Sequence, residues 1–251
     1  MPNGNKPTRE EHYLPKYYLK GFSEIGRRKA LIWGFDIKSM HQIPTQVDTE
    51  DICRKTDLYE LKDKDSKFIS QNRIEKRVGT VIETIIAKSE NEKCLECWNV
   101  LSDEDKSLLV ILMTMLKYRD PDTISFGIKV LQKENSLMEE REARNFTLLN
   151  LLPLGIDSGW DENTIIRTAV EQYSGMAFQI GVASDDVIIT SDRPIIEWPP
   201  HEKELYNRPG AVVFPLMSRL VLFMFPIETC HSFGGNCFFK LTEEQINDIQ
   251  T

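Results

Sequence analysis

Met176-Ala-Phe-Gln-Ile-Gly-Val182, Val187-Ile-Ile-Thr190, Ala211-Val-Val-Phe214 and Leu220-Val-Leu-Phe-Met-Phe225 are the segments whose reading decides the fold. Each is short, rich in β-branched and aromatic residues, and bounded by Asp, Pro or Gly, which reads as strands divided by turns. The middle of the chain has a different texture. Ile74, Val78, Val81, Ile82, Ile85 and Ile86 recur at the spacing that lines one face of a helix. A helical middle followed by a strand-rich third, without βαβ alternation, predicts an α+β fold in which the helices pack against the C-terminal sheet.

Boundaries sharpen that reading. Asn72 with Glu75 matches a capping box opening the first long helix, and Ser102, followed by Asp103, Glu104 and Asp105, opens the next. That second helix ends near Arg119, because Pro121 restricts Asp120. Further helices are expected over 122–150, broken near Asn135, and over 162–173. At the other end of the chain, Pro15 and Gly21 bracket a short aromatic helix after His12. Ala30 to Ile37 reads as a strand with a second near Gln46 to Asp48, and Cys53 to Leu61 as an irregular connection anchored by Tyr59. The division is 9–61 (helix and short strands), 70–173 (helices) and 175–241 (strands), within one domain over 1–251. Thr242 and Gln245 form another capping-box pattern. It opens a helix with Ile246 and Ile249 on its buried side, and the stop at Thr251 after about two turns suits either a truncated end or a short docked helix.

Composition narrows the class. The 251 residues are 41% hydrophobic and 28% charged, ordinary globular usage that disfavours disordered, collagen-like and coiled-coil chains. No apolar run is long enough for a membrane span. The polar start, Met-Pro-Asn-Gly-Asn-Lys-Pro-Thr, lacks a secretory pattern, so the expected compartment is the cytoplasm. A net charge of −8 repels nucleic acid unless charge is segregated or a cation intervenes. Five cysteines argue against a disulfide framework. Cys94, Cys97, Cys230, His231 and Cys237 are zinc-ligand types, but their second half lacks standard spacing, and a packed helix entrance beside Trp98 competes.

The strong catalytic motifs are absent: no Walker loop, Gly-x-Gly-x-x-Gly, His-Glu-x-x-His or Gly-x-Ser-x-Gly occurs. What stands out is a dispersed polar set. His12 titrates near neutrality and suits a general base or a structural partner. Glu75 falls inside the apolar arc of its helix and needs a partner, a metal or the role of capping acid. Glu83 lies eight residues further on. Arg119 ends the most apolar helix, where it complements the dipole, pairs with a buried carboxylate or holds a phosphate. Ser191 and Asp192 sit at an expected strand end, as catalytic groups on loops do and as turn residues do.

His12-Tyr-Leu-Pro-Lys-Tyr-Tyr-Leu-Lys-Gly-Phe22, Cys53 with Leu58-Tyr59, Ile74-Glu75 with Glu83, Tyr118-Arg-Asp-Pro121, Ile189-Thr-Ser-Asp-Arg-Pro194 and Phe214-Pro-Leu216 occur in this order. Together they resemble the domain-of-unknown-function family DUF4238 over nearly the whole chain. Lys16, Arg193 and Met217 depart from residues the family often carries there. Members usually continue past the equivalent of Thr251, which adds to the expectation of a truncated end. The resemblance implies that His12, Tyr59, Glu75, Glu83, Arg119 and Asp192 occupy motif positions, and it supplies no activity.

Convergent polar residues from distant segments are what a site looks like. The expected function is metal-assisted phosphodiester hydrolysis, a nuclease-like effector in bacterial or mobile-element conflict with nucleic acid as partner. His12 would serve as base or ligand, while Glu75, Glu83 and Asp192 hold a divalent cation such as Mg or Mn. Arg119 would neutralise developing charge, with Tyr59 and Ser191 as further ligand contacts. Two alternatives stand beside it. One is a non-catalytic protein-interaction module in which the same residues form a buried polar network. The other is a small-molecule enzyme whose cleft is lined by Tyr17, Tyr59 and Trp33.

Overall fold

The computed structural model describes residues 9–23, 30–43, 45–61, 72–90, 101–151, 164–199, 210–229 and 237–250. The expected class is correct: helices in the middle of the chain pack on a sheet built from its last third. Strands β7 (Met176–Val182), β8 (Ile196–Trp198), β9 (Ala211–Met217), β10 (Leu220–Pro226) and β11 (Cys237–Lys240) form one sheet in the order β11-β7-β10-β9-β8. All neighbours are antiparallel except β11, which runs parallel to β7. One expected strand is absent. Val187 to Thr190 lies outside the ladders, and the strand in that region is β8 instead. Ile188 N–H donates to the Ser218 carbonyl and Tyr18 Oη bonds Thr190 Oγ1, so individual long-range contacts replace a ladder.

The helices are α1 (Lys16–Lys20), α2 (Asn72–Ser89), α3 (Asp103–Arg119), α4 (Pro121–Glu134), α5 (Glu140–Leu151), α6 (Thr164–Tyr173) and α7 (Glu243–Gln250). Ser102 caps α3 as its sequence dictates. Its Oγ accepts from the Asp105 N–H while Asp105 accepts from the Ser102 N–H, closing the box. Every residue from Leu108 to Leu116 is buried. A helix apolar on all sides belongs in the middle of a core, and α3 sits there, touching α2, α4 and α6. The core joins Leu14 and Tyr18 near α1 to Val78 and Ile85 of α2, the α3 run, and the inner sheet residues Phe178, Phe214 and Leu222. The opposite sheet face carries a smaller cluster around Val221, against which Ile246 and Ile249 of α7 pack. Thr242 and Gln245 cap α7 reciprocally, as expected.

Between 9 and 61 the chain makes small two-stranded ladders. Strand β1 (Glu10–His12) pairs with β6 (Arg54–Thr56), while β2 (Leu31–Ile32) pairs with β5 (Val47–Asp48) and β3 (Phe35–Asp36) with β4 (His41–Gln42). The expected strand over 30–37 is interrupted at Trp33 and Gly34. The last two ladders form an arm whose residues 35–42 are all exposed.

Gly21 matters for its bareness, since its φ of −62° is open to any residue. A Cβ there would lie 2.9 Å from Met217 Cβ, where α1 meets β9, and the Gly21 carbonyl accepts from the Ser218 N–H. The α1 turn is thereby pressed onto the sheet. Because α3 is the most enclosed helix, Ile111→Ala, at a side chain with no exposure, should lower the unfolding free energy by about 2–5 kcal/mol in urea titration.

Candidate functional site: a buried arginine junction

Four of the residues marked in the sequence, His12, Tyr59, Glu75 and Arg119, meet at the C-terminal end of α3. Arg119 is 4% exposed. Its Nε donates to Tyr59 Oη at 2.8 Å, Nη1 to Glu75 Oε1 at 2.7 Å, and Nη2 to the His12 carbonyl at 2.9 Å. The guanidinium carbon also lies 5.1 Å from the centroid of the Tyr59 ring. Tyr59 Oη donates onward to the same His12 carbonyl at 3.2 Å, and the Tyr59 N–H donates to Glu11 Oε2 at 2.7 Å. One buried cation thus fastens β1, the loop after β6, and α2 to the end of α3.

Electrostatics follow from this geometry. Burial works against the charge of Arg119, but Tyr59 and Glu75 outweigh it and hold the guanidinium protonated above its ordinary range. Burial pushes the Tyr59 phenol up to about 12 against the opposing pull of Arg119, so it stays a donor. Burial also raises the Glu11 carboxyl, although the Tyr59 N–H offsets part of that rise.

Glu75 departs from one expectation. Its carboxylate binds Arg119, and Asn72 is the first helical residue of α2 rather than a flanking cap. His12 enters the junction through its backbone. Its imidazole turns the other way, where Nε2–H donates to the Glu50 carbonyl at 3.2 Å. Burial first, then the charge of Lys16, lowers its pKa, so the ring is neutral near pH 7.

Glu83 and Asp192 are exposed and do not join Glu75 in a metal-ligating group among the described residues. Glu83 is exposed on α2, about 12 Å further along the helix axis at 1.5 Å per residue. Among the described residues no three His, Cys, Asp or Glu side chains group closely enough to hold a metal ion. The expected joint ligand set of Glu75, Glu83 and Asp192 is therefore not assembled: Glu75 pairs with Arg119, and Glu83 and Asp192 stand exposed. Of the zinc-type residues, Cys94, Cys97, Cys230 and His231 lie outside the described residues, and Cys237 is buried in β11. Of the three aromatic residues of the expected cleft, Tyr59 is buried in the junction, while Trp33 stands 58% exposed on the arm.

Ser191 and Asp192 belong to a second, shallower cluster. Ser191 Oγ accepts from the Arg193 N–H at 3.1 Å, which shapes a local turn. Arg193 then pairs with Asp120 at 3.1 Å and with Asp122, latching this loop to the α3–α4 corner. Asp192 is exposed, and its charge acts on Tyr13 and Cys53, whose side chains bond each other.

Sequence reasoning missed Tyr18. Tyr18 Oη meets Thr190 Oγ1 at 2.7 Å and donates to the Pro215 carbonyl at 2.8 Å, so α1 reads the same loop from inside. The Lys-Tyr-Tyr run carried that signal. Adjacent helical side chains diverge by about 100°, so two tyrosines in succession serve two different surfaces.

Fold and site together define an α+β protein whose terminal and central segments are held by a buried arginine–glutamate–tyrosine junction. The family model described as "Protein of unknown function (DUF4238)" matches residues 10–250, and the chain belongs to that family. No curated protein and no solved structure matches it.

His12 provides a test with a definite sign. Its folded pKa is lowered from the ordinary 6.5, so the folded state binds this proton less readily than the unfolded chain does. The resulting stability is complete above the unfolded pKa and is lost as pH falls below about 6.5. Denaturant midpoints of the wild type should decline on acidification from pH 7, and His12→Gln should flatten the first part of that decline. Glu11, with its raised pKa, acts with the opposite sign at lower pH, so the difference between the two proteins is the quantity to measure.

Proposed function

We propose that this protein is a non-catalytic protein-interaction module whose motif residues serve the fold. The carrying observation is that Arg119 is sealed at 4% exposure with all three of its nitrogens bonded to the protein's own atoms. A guanidinium that stabilises a transition state must face the substrate, whereas one that binds three separate segments organises the chain.

The surface supports the same reading. Trp33, Phe35, Ile37 and Met40 are each more than half exposed on the β2–β5 arm. An isolated two-stranded ladder is marginal by itself, and clustered exposed apolar side chains mark interaction sites. The net charge of −8 disfavours nucleic acid and anionic lipid. It favours a partner protein with an apolar seat and a basic rim. Among the described residues no helix is long and apolar enough to cross a membrane.

Metal-assisted phosphodiester hydrolysis is the rival reading, and one experiment separates the two. Thermal unfolding of the wild type and Glu75→Gln is recorded with and without Mg²⁺ or Mn²⁺. The interaction reading expects Glu75→Gln to lose about 3 kcal/mol or more, because it leaves a buried charge without its counter-ion, and expects neither protein to respond to metal. A metal-dependent rise in the wild type that Glu75→Gln abolishes would overturn it in favour of the hydrolase. In the same assay Ile37→Asp with Met40→Asp should leave the melting temperature nearly unchanged, since both side chains are at least 70% exposed.

A further inference from the structure

The β2–β5 arm is a two-stranded ribbon, and its ladder bonds reveal which backbone groups point outward along β2 and β3. The Ala30 carbonyl accepts from the Thr49 N–H and the Gly34 carbonyl from the Ile43 N–H, each at 2.9 Å. Bonded and unbonded pairs alternate along an antiparallel ladder. Leu31, opposite Asp48, and Phe35, opposite Gln42, therefore turn their own N–H and C=O groups away from the paired strand. Among the described residues nothing bonds to those outward groups. Side chains follow the same alternation. Ile32 packs against the core, and a Cβ on Gly34 would meet Ile43 Cδ1 at 2.6 Å, whereas Trp33, Phe35 and Ile37 at the positions between are each more than half exposed. Edge strands ordinarily discourage a further strand with charges or proline. From Leu31 to Ile37 there is no proline and the single charge is Asp36, which alternates to the face opposite Phe35.

We propose that this edge takes an extended segment of a partner protein as a third strand. A two-stranded ribbon is marginal, and three strands with an apolar face are what it needs to be stable. Main-chain bonds to Leu31 and Phe35 supply affinity, while Trp33, Phe35 and Ile37 select apolar side chains at every second position of the segment. Charge chooses the residues between them. Residues 30–51 carry Asp36, Asp48, Glu50 and Asp51 against Lys38, and the whole chain is at −8. The fitting segment thus alternates apolar with basic residues, and a second copy of this chain is electrostatically disfavoured. The inference rests on the interaction reading above and names what that partner presents.

The probe is a short synthetic peptide alternating valine and lysine, titrated by calorimetry, with amide hydrogen exchange as a second readout. Bound peptide should raise the protection of the Phe35 amide at least about tenfold. Phe35→Pro deletes the outward N–H and spares the β3–β4 bonds, so it should abolish binding with little change in melting temperature. Phe35→Ala keeps the N–H and should weaken binding about tenfold. A peptide methylated on its backbone nitrogens should not bind, and it decides the matter should Phe35→Pro disturb the fold. Equal binding by Phe35→Pro or by the methylated peptide, or no binding by the parent peptide, overturns the third strand. The interaction reading itself is then left to the metal and Glu75→Gln experiment, which does not involve the arm. A wild-type dimer in sedimentation that Phe35→Pro converts to monomer overturns the partner assignment in favour of a second copy.

Discussion

A buried guanidinium must place each of its charged edges on an acceptor, and Arg119 places its three on residues 44, 60 and 107 positions away in the chain. That requirement fixes where the N-terminal segment, the loop after β6 and helix α2 stand relative to the central helix. Hydrophobic burial along α3 supplies the larger share of the driving force, but it is non-directional. The Arg119 contacts are directional, so they select one docking of these segments among the many that bury similar area. Removing one partner leaves a desolvated charge, and this is why such junctions act as all-or-none fastenings.

The loop from Cys53 to Tyr59 shows what the fastening holds in place. Cys53 and Asp57 have φ values of 51° and 49°, in the left-handed region that side chains with a Cβ adopt at some cost. The loop is gripped from several directions. Arg144 donates to the Asp57 and Leu58 carbonyls, Asp57 accepts from the Arg9 N–H, and the Cys53 carbonyl accepts from the Tyr13 N–H. Local strain survives where the surroundings over-determine the backbone. Here the surroundings are two arginines and a strand pair, and the product is a tyrosine delivered to the buried cation.

Imidazole, carboxylates and guanidinium scattered along a chain look alike whether they serve a reaction or a scaffold, because both uses need charge held by rigid neighbours. The difference lies in which way the charges face. Arg119 and Tyr59 face inward, Glu75 bridges them toward the outside, and Glu83 and Asp192 stand at the surface. The arm carrying Trp33, Phe35, Ile37 and Met40 instead places apolar groups in solvent.

Much of the architecture was decided by the sequence itself. The apolar spacing of α2, the Ser102 box that opens α3, Pro121 after Arg119, and the β-branched runs of β7, β9 and β10 act over a few residues, so local order alone specifies them. The Glu75, Arg119 and Tyr59 positions could also be marked as polar groups needing partners, because a charge on an apolar helix face must be satisfied wherever it lies. Which partner each takes was settled only by tertiary structure. Nothing in the linear order distinguishes Glu75 as a capping acid from Glu75 as the mate of Arg119, or the His12 ring from the His12 carbonyl as the group that faces the cation. The break at Trp33-Gly34, the absence of a strand over 187–190 and the separation of Glu83 and Asp192 from Glu75 belong to the same class. Each depends on long-range packing and hydrogen bonding, which compete with local preference and override it where a buried charge has to be met.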